Sequence, residues 1–326
     1  MKTKVWLTTV MLGLAIAMVT GAAIGQGFPS KSIRLVVGFP PGGSGDFIAR
    51  NMAEEMNRLL DQQIIVDNRP GAGANIASEI VMRATPDGHT ILLGGSFSHA
   101  VNATLYKKLP FDVEKDFAPI SKVANFTTII AVNPKLPVNT LKELIAKAKA
   151  EPGRLTYSSP GSGTPSHMAG AVFNIVAGTD IVHVPFKGGA PQLLATLAGD
   201  VSIIIGTPPV ALPQIRAGKL RALSLTTRKS SAIIPGIPGA EEAGLPGYDV
   251  GGWWGLWAPA RTPPAVISRL FEITRKVLGS PQIHERLARE GLEIETSGSP
   301  QEFAAFIHKE IPFWAKVVKD SGATTD

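Results

Sequence analysis

The sequence predicts an α/β protein of two lobes, each a mostly parallel sheet flanked by helices. Three observations carry that expectation. Short runs rich in Val and Ile alternate with segments of helical period, and the alternation restarts near Leu155. The chain, at 326 residues with 44% hydrophobic, is also too long for one ordinary core and apolar enough for two.

In the first unit, residues 33–39 read as a buried strand. Ile48, Met52, Met56 and Leu60 then recur at i+4 spacing, with Ala49 and Ala53 beside them, as the core face of a helix. A second strand (64–66), a second helix (76–84) and a third strand (90–93) follow. Residues 126–132 read as one strand, closed by Asn-Pro and Leu-Pro punctuation. Thr140-Leu-Lys-Glu143 is a capping box, and its helix ends at Pro152-Gly153. The second unit has strands at 155–158, 181–184, 201–205 and 220–225, with helices opening at Thr164 and Pro191. Residues 252–259, after a Pro- and Gly-rich stretch, read as a strand crossing back to the first lobe. Ser299-Pro-Gln-Glu302 opens a final amphipathic helix with Phe303, Phe306, Ile307, Trp314, Val317 and Val318 inside and an expected kink at Pro312.

The first 25 residues read as a secretory signal peptide: a basic head with Lys2 and Lys4, an apolar run from Val5 to about Val19, and small residues up to Gly25. An uncleaved anchor needs about 20 apolar residues, more than this run supplies. The absence of cysteine excludes disulfides, thiolate metal sites, a cysteine nucleophile and a lipidated cysteine. A cleaved leader without a lipid anchor leads to the expectation of a free periplasmic protein, most simply a monomer. The formal charge of +6 is carried by scattered lysines, with no aromatic-interleaved basic stripe, which excludes a nucleic-acid partner.

A strand, a glycine-rich turn and a helix start occur twice, once per unit. The first runs from Val36 to Asp46 and contains Phe39, Gly42, Gly43 and Ser44; the second runs from Tyr157 to His167 and contains Ser159, Gly161, Ser162, Gly163, Thr164 and Ser166. Glycines let backbone amides approach a ligand, and a helix start offers free N–H groups with partial positive charge. Neither turn holds Lys or Arg, which suits a small carboxylate better than a phosphate. Thr164-Pro165 has the residue types of an N-cap followed by the first helical position. No cofactor motif is complete: the G-x-G-x-x-G pattern fails after Gly73 and Gly163, and no Walker lysine occurs. Ser44, Ser96 and Ser162 all lack a full G-x-S-x-G elbow. His167 and His183 near Asp180 form the one cluster open to a metal or acid–base reading, against the plainer reading of local hydrogen bonds. An exported enzyme using Ser96 or His167 is therefore a weaker alternative, and a sensor input protein without a transport role is another.

The ordered motifs Phe39-Pro-Pro-Gly-Gly43 with Asp46, Asp67-Asn-Arg-Pro-Gly-Ala-Gly73, Pro86-Asp-Gly-His-Thr90, Asp116-Phe-Ala-Pro119, Ser159-Pro-Gly-Ser-Gly-Thr164 with His167, His183-Val-Pro-Phe-Lys-Gly188, Leu220-Arg-Ala-Leu223 and Trp254-Gly-Leu-Trp-Ala-Pro259 resemble the Bug family, the substrate-binding receptors of tripartite tricarboxylate transporters. The resemblance implies a periplasmic-binding-protein type II fold: one lobe of residues 26–126 plus 253–326, another of 127–252, and two crossing strands between them. It implies a small organic carboxylate gripped between the two turns, a membrane permease as partner, and no cofactor or metal. Gly189, Ala190 and Thr207 fall where family members complete the pocket, and Ser96 joins the candidate ligand-binding residues. Gly38, Gly45, Ser162 and Pro165 depart from the family's usual residues, Gly45 standing where a hydroxyl is common. Trp253, Trp254 and Trp257 lie on the returning strand, where stacking on an aromatic ligand competes with core packing.

Overall fold

The computed structural model describes residues 27–321, so the expected leader lies outside the described residues. The elements in order are β1 (Ile33–Val37), α1 (Ser44–Leu60), β2 (Ile64–Asn68), α2 (Asn75–Met82), β3 (Thr90–Gly95), α3 (Asn102–Leu105), β4 (Phe117–Phe126), β5 (Ile129–Val132), α4 (Leu141–Ala150), β6 (Thr156–Ser159), α5 (Pro165–Ala177) and β7 (Val182–Pro185). They continue with α6 (Gly189–Ala198), β8 (Ile203–Gly206), α7 (Pro208–Arg216), β9 (Arg221–Leu225), β10 (Gly252–Pro259), α8 (Pro264–Leu278), α9 (Pro281–Arg289), β11 (Leu292–Ile294) and α10 (Pro300–Ser321).

Two sheets result, ordered β11-β4-β10-β3-β1-β2 and β7-β6-β8-β5-β9. The α/β class holds, but the sheets are mixed rather than mostly parallel. β1 pairs β2 and β3 in parallel, as β6 pairs β7 and β8. Antiparallel pairing enters where chain passes between the sheets, at β3–β10, β4–β10, β5–β8 and β5–β9, and again at the β4–β11 edge. A strand that leaves one sheet for the other runs against the neighbours it meets, which local βαβ reasoning does not anticipate.

The expected single strand at 126–132 is two strands, broken at Thr127-Thr128. Its first part belongs to the ten-residue β4, which sequence reasoning missed because Pro119, Lys122 and Asn125 interrupt the apolar run. The break is hydrogen-bonded to the second crossing. The Thr128 amide donates to Thr226 Oγ1 at 3.0 Å, Thr226 Oγ1 donates to the Val250 carbonyl at 2.8 Å, and the Val250 amide returns to the Thr226 carbonyl at 2.8 Å.

Ile48, Ala49, Met52, Ala53 and Met56 are buried on α1, the stripe that positions its N-terminus. Each large side chain so buried contributes roughly 1.5–3 kcal/mol. Thr140 caps α4 by accepting the Glu143 amide at 3.2 Å, and Ser299 accepts the Glu302 amide at 3.0 Å. α10 continues through Pro312 as one element and buries Phe303, Ile307, Trp314 and Val318. No described helix is long and apolar enough to cross a membrane.

Candidate functional site

The first turn joins β1 to α1. Gly38 lies against Ala74, where a Cβ would stand 2.3 Å from that residue's Cβ, so no larger residue fits there without a shift. Gly42 has φ +85°, a conformation that favours glycine. Its amide donates to Asp46 Oδ2 at 3.0 Å, and Arg50 Nε donates to the same oxygen at 3.0 Å. Asn68 Nδ2 fixes the Phe39 carbonyl at 3.0 Å. Burial alone would raise the Asp46 carboxyl, but hydrogen bonds from Arg50, the Gly42 amide and Asn68, with the Arg50 charge, hold it below its ordinary range. Asp46 is therefore an ionised strut for the turn.

The second turn joins β6 to α5 and is braced by its own polar groups. Ser159 Oγ accepts the Gly161 amide at 3.2 Å and contacts His183 Nε2 at 2.6 Å, while Thr164 Oγ1 donates to the Gly161 carbonyl at 2.6 Å. The Gly163 amide donates to His167 Nδ1 at 3.1 Å, which places the neutral ring's proton on Nε2. The His167 and His183 rings stack at 4.1 Å, with Tyr157 stacked on His183 at 4.9 Å. Burial lowers the pKa of both imidazoles, His183 to about 3 with His167 adding repulsion. Two stacked rings held neutral are a brace, and no described group of three or more His, Asp or Glu is placed to hold a metal.

Neither helix start is capped by a side chain: Gly43 has none, and the Thr164 hydroxyl is engaged elsewhere. The two helix starts flank the space between the turns, and their first amides have no helical carbonyl to bond, Pro165 having no amide hydrogen at all. That space is a cavity of about 40 Å³ lined by Phe39, Pro40, Gly43, Ser44, Gly45, Pro160, Thr164, Pro165, Ser166, Gly189, Gln192, Thr207, Val210 and Trp254. None of these lining residues is ionisable. Three of them carry buried polar atoms without a partner: Ser44 Oγ, Ser166 Oγ and Trp254 Nε1. Connecting loops of the two sheets approach closely, since a Cβ on Gly163 would lie 3.5 Å from Gly73 Cα and one on Gly188 3.2 Å from Pro40 Cβ.

Of the expected site residues, Phe39, Gly43, Ser44, Thr164, Ser166, Gly189 and Thr207 line this cavity together. Gly42 and Asp46 stand behind the first turn, joined to each other. Ser159, Gly161 and Gly163 form the inner bracing of the second turn, Ser162 and Ala190 are exposed, and Ser96 is buried beside β10, accepting the Trp253 amide at 3.4 Å. Sequence reasoning missed Gln192, whose amide nitrogen bridges the Ser158 and Ile205 carbonyls at 2.9 Å each, and it did not single out Trp254. Strand period was the available signal. Trp253 and Trp257 share the face of β10 that meets Phe303, while Trp254 faces the other way, onto Phe39 and Phe126.

A larger crevice of about 630 Å³ lies on the other side of the crossing strands, between the 227–233 segment and α10. Volume favours it, but chemistry does not. Glu310 there accepts Trp253 Nε1 at 2.8 Å and Trp314 Nε1 at 3.0 Å, and none of the crevice's residues carries a buried unpartnered side-chain atom. The small cavity holds the open donors.

Two mixed sheets joined by crossing strands, with two uncapped helix starts around a cavity lined by uncharged residues, define a two-lobed solute-binding protein. The chain belongs to the tripartite tricarboxylate transporter family receptors, whose family model matches residues 48–323. BugT of Bordetella pertussis is 32% identical over 318 residues, 97% of each chain. An R. palustris protein solved with adipate is 33% identical and superposes with a TM-score of 0.86 over 90% of this chain and 98% of its own. MatC from Rhodopseudomonas palustris with bound malate is 31% identical, with a TM-score of 0.83 over 89% of this chain and 100% of that one.

Proposed function

We propose that this protein is a periplasmic receptor that closes on a small organic carboxylate and delivers it, unchanged, to a permease of the tripartite tricarboxylate type. One observation carries the reading: the buried, unpartnered hydroxyls of Ser44 and Ser166 line a single uncharged cavity at the starts of α1 and α5. The adipate and malate in the related structures support a carboxylate as the guest. Hydrogen bonds to an ionised group contribute roughly 1.5–3 kcal/mol each. A few of them, less the cost of ordering the ligand, reach micromolar affinity at about −8 kcal/mol.

In this reading, residues 26–126 with 253–326 form one lobe and 127–252 the other, turning about Thr127-Thr128 and Val250-Gly251-Gly252. Ser44, Ser166 and Thr207 hydroxyls and the helix-start amides grip the anion, while Asp46, Ser159, Gly161, Gly163 and Thr164 hold the turns in shape. The protein acts as a monomer after its leader is removed. Calorimetry against a panel of carboxylates, with the ligand recovered and weighed by mass spectrometry, tests this. Stoichiometric binding and an unaltered ligand are expected; a chemically altered ligand contradicts it.

A further inference from the structure

We infer that Trp254, admitted by Gly45, is the specificity-determining wall of the cavity and selects a carboxylate with a flat aromatic body over a flexible aliphatic diacid. This rests on the receptor reading and names its substrate class.

Gly45 is glycine for space. A Cβ there would stand 2.7 Å from Trp254 Cη2 and 2.9 Å from Cζ3, so the indole rests directly on the first turn of α1. The hydroxyl residue the family resemblance leads one to expect at this position cannot coexist with that ring placement. The ring is held on its other sides by Phe39, edge-on with centroids 5.3 Å apart, and by Phe126 at 5.4 Å. Its strand is paired on both edges, with Gly95 on one side and Ala124 on the other, so the indole is a rigid surface.

Trp254 alone of the three clustered tryptophans lines the cavity. Trp253 gives its Nε1 to Glu310, and Trp257 is fully buried against His99 at 4.1 Å. Trp254 Nε1 has no partner, nor has Trp257 Nε1, but only Trp254 shares the cavity lining with the unpartnered Ser44 and Ser166 hydroxyls.

The other bulky apolar side chains in the lining are Phe39, Pro40, Pro160, Pro165 and Val210, which are rings and one small aliphatic group. A thin, rigid body meets such faces with the least parting of the turns in a cavity of about 40 Å³. It also loses little conformational freedom, whereas an aliphatic diacid must order its rotors and find donors for a second carboxylate. The α7 start cannot supply a full set, because Pro208 and Pro209 remove two amides and the Val210 amide is engaged with the Thr207 carbonyl.

The test is calorimetry on the mature protein with benzoate, adipate and malate, repeated on Gly45→Ser and Trp254→Phe, with folding checked by circular dichroism. Benzoate is expected to bind at least about tenfold more tightly than either diacid. Gly45→Ser, which displaces the indole, and Trp254→Phe, which keeps an aromatic core, should each erase most of that preference. Benzoate should also alter tryptophan fluorescence in the native protein and not in Trp254→Phe. Adipate or malate binding as tightly as benzoate overturns the inference alone, as does an unchanged preference in folded Gly45→Ser. Failure of all three ligands, and of a wider carboxylate panel, overturns the receptor reading with it.

Discussion

The two glycine-rich turns look alike in sequence and are braced by opposite chemistries. The first is tied by an ionised strut, Asp46 with Arg50 and the Gly42 amide. The second is tied by neutral groups, the stacked pair His167 and His183 with the Ser159 and Thr164 hydroxyls. In both, the brace lies behind the turn and leaves an uncharged surface toward the cavity. An anion there would meet no charged side chain among the lining residues. The same logic separates the small cavity from the larger crevice beside α10, whose carboxylate Glu310 is already engaged.

The largest effect should come from Gly163→Val. Gly163 has φ +75°, and a Cβ would lie 3.3 Å from Tyr106 Oη on the opposing lobe, so valine strains the second turn and obstructs closure together. We expect affinity to fall by about a hundredfold or more, with ligand-induced compaction lost in solution scattering, while circular dichroism stays native. Normal compaction in that variant would mean the turn does not take part in closure.

A smaller effect is expected at the first turn. Asp46→Asn keeps the shape but removes the charge that Arg50 neutralises, and Arg50 is half exposed, so the discounted loss is about 1 kcal/mol in unfolding by denaturant. It should be salt-sensitive, as the second turn's brace should not be. Equal salt dependence for Asp46→Asn and native protein would remove the distinction between the two braces.

The second turn should instead respond to acid. His183 drops from an ordinary 6.5 to about 3 in the folded protein, so between those values the unfolded chain binds a proton that the native state does not. Stability therefore falls as pH falls through that window and is fully present above about 6.5. His167 contributes in the same direction. Thermal midpoints from pH 7 to 4 should decline less steeply in His183→Phe than in the native protein; parallel curves would show that the stack is not what senses acid.

Much of this architecture was legible from residue pattern. The α1 stripe, the capping boxes at Thr140 and Ser299 and the return strand β10 are local signals, and they occur where they were expected. β4 was not legible because what stabilises its polar residues comes from far along the chain: Lys122 pairs with Glu295 at 2.9 Å and lies over the Phe306 ring at 4.4 Å. At the site, both turns could be found, but the division of labour within them could not. Ser159 and Thr164 look like ligand donors in sequence, and a tight turn engages its own hydroxyls first. Ser44 and Ser166 are distinguished only by having no partner in three dimensions.

That distinction is also where the account is most exposed. Ser44→Ala, Ser166→Ala and the double variant should each be measured twice, for carboxylate affinity by calorimetry and for thermal midpoint without ligand. Because each hydroxyl meets no protein partner, the ligand-free midpoint should stay the same or rise, while each substitution weakens binding by about 1.5–3 kcal/mol and the double variant by more. Native affinity in the double variant would contradict the account, as would a loss of affinity matched by an equal loss of ligand-free stability.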